Sequence, residues 1–314
     1  MTNDTAIIKK IENDTEIDRM VNKYLLHDSD PVPYVEVGKD KICLPETYSN
    51  YEEKLRKFEV RDDDVYVISH PKTGTTWCQE MVWLIGNDLD YEKAKSEYVI
   101  RRFPILEVPV YKDPHANNYD IWKSIDPLVL YGYIPYTRFF KSHLPWSLLP
   151  EQIQNGTKKP KIISIVRKPH DTCVSYYHHL KKYGLLATLD EFGELFLAGR
   201  TVGGPFHKSI LSLWEQRNSP NVLILNFHNL KNDLKGEIKK VADFLEKTLT
   251  EEETEQLADY LKFENMKKNP SSNCLDLIRK GEVGGYKKEM SPELIEKFDQ
   301  YEKEHFGDYD ITFE

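Results

Sequence analysis

The sequence predicts an α/β fold, a three-layer α/β/α domain around a central parallel sheet with a P-loop-like anion-binding loop at the sheet's edge. Three observations predict it. Four short apolar segments, at 65–69, 138–141, 161–166 and 222–227, alternate with stretches of helical period. One strand-to-helix turn is built from a Gly and several hydroxyl residues, the chemistry of a phosphate cradle. Finally, Gly and Pro are scattered along all 314 residues, with no linker or repeat, so one domain over 1–314 is expected. Strands that alternate with helices pair in parallel and are covered on both faces. Ligands of such folds sit beyond the carboxyl ends of the strands.

Residues 1–60 are acidic and mixed; a partly ordered arm is expected over 1–40, then a short strand near 41–44. Val65-Tyr66-Val67-Ile68 leads through Ser69-His70-Pro71-Lys72-Thr73-Gly74-Thr75-Thr76-Trp77 into a helix over 75–85, whose apolar residues include Trp77, Met81, Val82, Leu84 and Ile85. Further helices are expected over 171–183, 206–216 and 230–245. The pairs Thr188/Glu191 and Thr250/Glu253 have capping-box spacing and mark two more starts. Ser291-Pro292-Glu293 places a good N-cap before Pro at the first helical position.

Composition narrows the function. A hydrophobic share of 39% with 30% charged residues describes an ordinary globular protein. A net charge of −9 argues against a broad nucleic-acid partner, yet leaves room for local cationic pockets. Residues 1–9 lack the basic flank and apolar stretch of a secretory signal, and no run approaches the roughly 20 apolar residues of a membrane span. Cys43, Cys78, Cys173 and Cys274 are far apart without CxxC spacing, so free thiols and a cytoplasmic location are expected.

Four segments carry the chemistry. In the first, Lys72 precedes the only Gly, whereas a Walker loop has Lys after its second Gly, so nucleotide-kinase chemistry is disfavoured. Thr73, Gly74, Thr75 and Thr76 can offer N–H and hydroxyl donors to a phosphate, and Trp77 a ring face. In the second, Lys141-Ser142-His143-Leu144-Pro145 follows a strand, and His suits a general base at neutral pH. In the third, Arg167 at a strand end and Ser175 on the next helix can converge on a second phosphate, a task for a guanidinium fork. In the fourth, Arg279-Lys280-Gly281 forms another cationic nest.

Together these segments resemble the cytosolic sulfotransferases over positions 69 to 287. Pro71–Trp77 is similar to the family's sulfonate-donor loop and Lys141–Pro145 to its Lys-Thr-His-Leu-Pro segment. Residues 166–179 resemble its Arg-Asn-Pro-Lys-Asp…Val-Ser-Tyr-Tyr stretch, and Arg279–Lys287 its Arg-Lys-Gly-x-x-Gly-Asp-Trp-Lys signature. The resemblance implies a PAPS-dependent sulfotransferase (PAPS is 3′-phosphoadenosine-5′-phosphosulfate, and the product is PAP) with no metal. It implies His143 as base and Lys72, Lys141 and Ser175 as groups that position and neutralise the sulfonate and leaving group. Lys72 through Trp77, Arg167, Ser175, Phe263, Met266, Arg279, Lys280 and Gly281 would hold the donor, with Phe263 on adenine. The acceptor would be a small apolar or aromatic hydroxyl compound such as a phenol, steroid or retinoid. Phe103 and Phe140 are the expected gates of an aromatic pocket among Tyr131, Tyr133, Tyr136 and Phe139. Alternatives are a dehydratase acting through a sulfate ester, or a non-catalytic carrier with a relic donor site.

Several residues depart from the family pattern. Lys168 and His170 differ at positions expected to face solvent. Gly285 and Tyr286 replace Asp and Trp, which weakens the expectation of a stiff closing loop, and Gly203 replaces a Tyr on adenine. The family's dimer motif would fall on Lys287, Ser291-Pro292 and Glu296, where its Thr-Val is lost, so a monomer or weak dimer is expected.

Overall fold

The protein is described by a computed structural model over residues 7–12, 14–24, 33–111 and 126–313. In chain order the principal elements begin with strand β1 (Ile8–Lys10), helix α1 (Glu16–Tyr24), β2 (Tyr34–Val37) and β3 (Ile42–Pro45). Next come β4 (Val65–Ile68), α2 (Thr75–Gly86), β5 (Phe139–Ser142), β6 (Lys161–Val166) and α3 (Pro169–Lys181). They are followed by α4 (Leu189–Leu197), α5 (Phe206–Trp214), β7 (Val222–Asn226) and α6 (Leu234–Phe244). The last are α7 (Glu251–Tyr260), α8 (Phe263–Lys268) and α9 (Pro292–Phe306).

The central sheet runs β5-β4-β6-β7, all parallel. Its side chains alternate between two cores, as a pleated strand demands. Val65, Val67, Phe139, Ile163, Ile165 and Leu225 face one core with α2, α6 and α7. Tyr66, Ile68, Phe140, Ile162 and Val222 face the other. Because both faces are buried, the strands read as continuous apolar runs rather than alternating ones. A third core joins α3, α4, α5 and α9 through Phe192, Phe196, Phe206, Leu294 and Phe298.

The α/β architecture with a parallel sheet flanked by helices is as expected, but its second face has an unexpected cover. A three-stranded antiparallel sheet, β1-β2-β3, lays Val35, Val37, Ile42 and Leu44 onto that core. Its strands are only 3 or 4 residues long, too short for a clear period in sequence. Of the arm expected over 1–40, residues 1–6, 13 and 25–32 lie outside the described residues. The strand expected near 41–44 is β3. The sheet is stitched to the loop before α5, where Cys43 N–H donates to the Gly204 carbonyl at 2.7 Å and Gly203 N–H to the Cys43 carbonyl at 2.9 Å. The helix expected over 230–245 is divided: Asp233, at φ −140°, ends a short helix (Phe227–Asn232) and caps α6 by accepting from Gly236 N–H at 2.9 Å. Both capping boxes, at Thr188 and Thr250, are present as the spacing requires.

Register sets the site. Ile68 lies opposite Ser142 on one side and Ser164 on the other, so the turns after β4, β5 and β6 emerge along one edge of the sheet.

Candidate active site

The turn from β4 to α2 is held open by its own hydroxyls and by unusual backbone. Thr73 Oγ1 donates to the His70 carbonyl at 2.9 Å, and the Ser69 and Thr75 hydroxyls share a hydrogen bond at 2.7 Å. Lys72 takes a left-handed φ of +71°, a strain of about 1–2 kcal/mol for a non-Gly residue. Gly74 is required: at φ +116° a Cβ would stand 2.7 Å from the Phe227 ring and 2.9 Å from Ile165. Gly74 also leads α2 without any side-chain cap, in contrast to the Thr- and Ser-capped starts of α4, α7 and α9. The first N–H groups of α2 therefore stay available to an anion.

His143 stands beside this turn. Its Nδ1 donates to the Ser69 carbonyl at 2.6 Å, an assignment that leaves Nε2 as the proton-accepting nitrogen. Burial and then the neighbouring Lys141 cation hold the imidazole well below the ordinary His range, so it is neutral at pH 7. Its backbone N–H donates at 2.6 Å to Glu107, a fully buried carboxyl whose other oxygen has no partner among the described residues. Sequence reading missed Glu107. Its only signal was a lone acid after Pro104-Ile105-Leu106, a segment that hydrogen-bonds to β5 at Lys141.

The cations gather with few carboxylates to oppose them. Lys72, Ser175, His178, His179, Lys182, Asp276, Leu277 and Arg279 line one cleft. Burial pushes the Lys72 amine down to about 7, helped by Lys141, Lys182, Arg167 and Arg279. Lys141 is lowered to about 8 by burial, against the pull of Glu107. Arg167 donates to the Lys72 carbonyl at 3.1 Å and the Glu282 carbonyl at 3.0 Å and lies over Phe227, while its buried Nε has no partner among the described residues. Such crowding of cations fits a ligand with more than one anionic group.

The fourth segment closes the cleft from above. Gly281, at φ +61°, packs so tightly on Phe263 that a Cβ would approach the ring to 2.4 Å. Met266, on α8, is buried beneath. The closing loop expected to be loose is tied down instead: the buried Asp171 carboxylate accepts from Gly284 N–H at 2.7 Å and Tyr286 N–H at 3.2 Å. Tyr286 is buried on His170, with ring centroids 4.5 Å apart. Lys280 is exposed and pairs with Glu289 at 3.6 Å.

Other expectations are corrected. His170 does not face solvent; it is 0% exposed and pairs with Asp299 at 3.0 Å, because the first turn of α3 packs under α9. Phe103 and Phe140 are not gates in this structure. Both are 0% exposed and they belong to different cores, Phe103 tilted on Phe139 and Phe140 packed against Phe58, Tyr66 and Tyr131. Phe139 and Phe140, adjacent on β5, point to opposite faces of the sheet, both of them core, and Phe103, at the end of a short helix (Val99–Arg102), packs into the first. Trp77 is 8% exposed and meets Phe227 edge-on at 5.7 Å, so most of its face is spent on packing. The Gly203 backbone, at φ +83°, would bring a Cβ within 3.1 Å of Pro71, so this position packs against the turn after β4. His179 and Lys182 were also missed; they follow Ser175 by four and seven residues, one helical face that sequence spacing could have shown.

Known proteins are similar to this chain. The Sulfotransferase domain family model matches residues 62–310. The luciferin sulfotransferase of Photinus pyralis is 42% identical, covering 94% of this chain and 85% of that protein. The amine sulfotransferase of Oryctolagus cuniculus is 34% identical over 83% of this chain and 86% of its own length. Among solved structures, retinol dehydratase in a complex with retinol and PAP superposes with a TM-score of 0.88, at 28% identity and 98% and 99% coverage of the two chains.

Proposed function

The chain belongs to the sulfotransferase family and is a PAPS-dependent sulfotransferase, and from that membership we propose that it moves sulfonate to a hydroxyl of a small aromatic or apolar acceptor, with His143 as general base. One observation carries the assignment of the base: the 2.6 Å hydrogen bond from His143 Nδ1 to the Ser69 carbonyl. It supports Nε2 as the nitrogen free to accept a proton, and through Nδ1 it ties the imidazole to the first residue of the donor turn. PAPS, when bound, supplies the activated sulfonate. Nε2 of His143 takes the acceptor's hydroxyl proton as the new oxygen–sulfur bond forms. Lys72 and Lys141 face the negative charge that gathers on the leaving phosphate as the old sulfur–oxygen bond breaks. Ser175 and Arg167 hold the donor from α3 and the end of β6, and Arg279, Lys280 and Gly281 cover it on Phe263. Orientation and charge stabilisation then suffice without a metal ion.

The expected outcome of His143→Ala is a loss of turnover of roughly 10²–10³ or more, the usual scale for one transition-state partner, with PAP binding by calorimetry retained. Full activity in that variant rules His143 out as the base. The acceptor class is tested by transfer of labelled sulfonate from PAPS to a panel of phenols, apolar alcohols and amines; amines as the sole substrates would overturn the hydroxyl reading. A second reading is favoured by the superposition on retinol dehydratase: the sulfate ester could be an intermediate that eliminates to an alkene. Mass spectrometry of the products separates the two, since elimination releases free sulfate. The four free thiols suit a reducing cytoplasm, and Pro292 in the first turn of α9 suits a monomer or weak dimer.

A further inference from the structure

Glu289 sits where a carboxylate is least expected, against the cations that cover the donor cleft. It follows the closing loop of residues 279–288 and is about a quarter exposed. Its Oε1 lies 3.3 Å from Arg279 Nη1 and 3.6 Å from Lys280 Nζ, and its Oε2 pairs with His178 Nε2. Arg279 and His178 both line the cleft with Lys72 and Ser175. One carboxylate thus engages a guanidinium and an imidazole that face the same space, and the exposed ammonium of Lys280. Its neighbour Lys182 is held in the same way, by the side chain and carbonyl of Asp276, where the chain is at a left-handed φ of +48°.

We propose that Glu289 is an internal stand-in for the donor's 3′-phosphate, holding Arg279 and Lys280 until the nucleotide displaces it and so setting which nucleotides the cleft accepts. The inference rests on the donor assignment above. Its physical basis is competition. A guanidinium already paired to a carboxylate yields only to a ligand group that offers it more. A 3′-phosphate brings nearly two charges and three acceptor oxygens. A nucleotide without that phosphate cannot repay the lost pair, and finds the loop still closed on itself. The same contact returns the loop to its starting arrangement once the nucleotide departs. Lys280 is half exposed, so most of the competition falls on Arg279.

The test is titration calorimetry of the full chain and its Glu289→Gln variant with two probes, PAP and adenosine 5′-monophosphate, which lacks the 3′-phosphate. The variant should bind PAP about tenfold tighter, the factor given by one charge-assisted pair, while the monophosphate's affinity stays within about twofold. Glu289→Asp, which keeps the charge and retracts it by one methylene, should fall between, and gives the same comparison if Gln impairs folding. Unchanged or weaker PAP binding in Glu289→Gln overturns the inference, as does an equal gain for both nucleotides. If the wild-type chain binds neither probe, the donor assignment itself falls and takes the inference with it.

Discussion

At the scale of single residues, the site withholds solvent and counter-charge from the lysine of its first turn. Lys72 is the clearest case: at about 7 its amine is half neutral under ordinary conditions, because burial and the surrounding cations penalise its charge. An anion bound beside it restores the charge. The sign follows: below pH 7 the free protein already carries the proton, whereas above pH 7 it must be taken up on binding. PAP affinity should therefore be flat below pH 7 and weaken above it, by up to about tenfold per pH unit. Calorimetry at pH 8 in buffers of different ionisation enthalpy should register proton uptake, and a titration that moves no protons would refute the Lys72 assignment. Much at this scale was legible in sequence, since Lys72, Gly74, His143 and Arg167 declare their chemistry by type and by position after a strand. Glu107 and Glu289 were not legible, because no sequence spacing marks an acid that meets its partner 36 residues on, as Glu107 meets His143, or 10 residues back across a loop and 111 back on a helix, as Glu289 meets Arg279 and His178.

At the scale of elements, α3 organises the site. Asp171, Ser175, His178 and Lys182 follow one another at helical spacing along the face turned to the closing loop. Asp171 holds Gly284 and Tyr286, His178 meets Glu289, and Lys182 meets Asp276. Here the structure answers the concern raised by the loss of Asp and Trp from the loop, because the tie comes from α3 and not from within the loop. Asp171→Ala would leave two amides without their acceptor, at about 1–3 kcal/mol for a buried pair. Amide exchange at Gly284 and Tyr286 should quicken about tenfold or more, and the KM for PAPS should rise with kcat changed less. If exchange there is unaltered, the loop is held by something other than Asp171. The capping boxes and strand ends could be read directly, since each depends on residues three or four apart. The break at Asp233 and the sheet β1-β2-β3 could not, because they depend on what packs against them.

At the scale of the whole molecule, burial of neutral histidines ties stability to pH. Burial depresses His70, His170 and His207 to about 4 and His179 to about 3, and keeps His143 low as well. In the unfolded chain each takes up its proton near pH 6.5. Stability contributed by the neutral forms is therefore complete above about pH 6.5 and lost as pH falls toward 4. The melting temperature should decline steadily across that window, and a curve that is flat from pH 7 to 4.5 would contradict the neutral-core reading. The α/β class, the parallel sheet and the order of the anion-binding turns were determined by the sequence alone, because strand, turn and helix signals are local and each strand end declared the next motif. Which rings line a surface and which fill a core, why His170 is buried, and which acids stand against Lys141 and Arg279 were decided only by the tertiary structure. Two faces of one sheet were claimed by two separate cores, and no pattern along the chain records which distant residues will share the space between them.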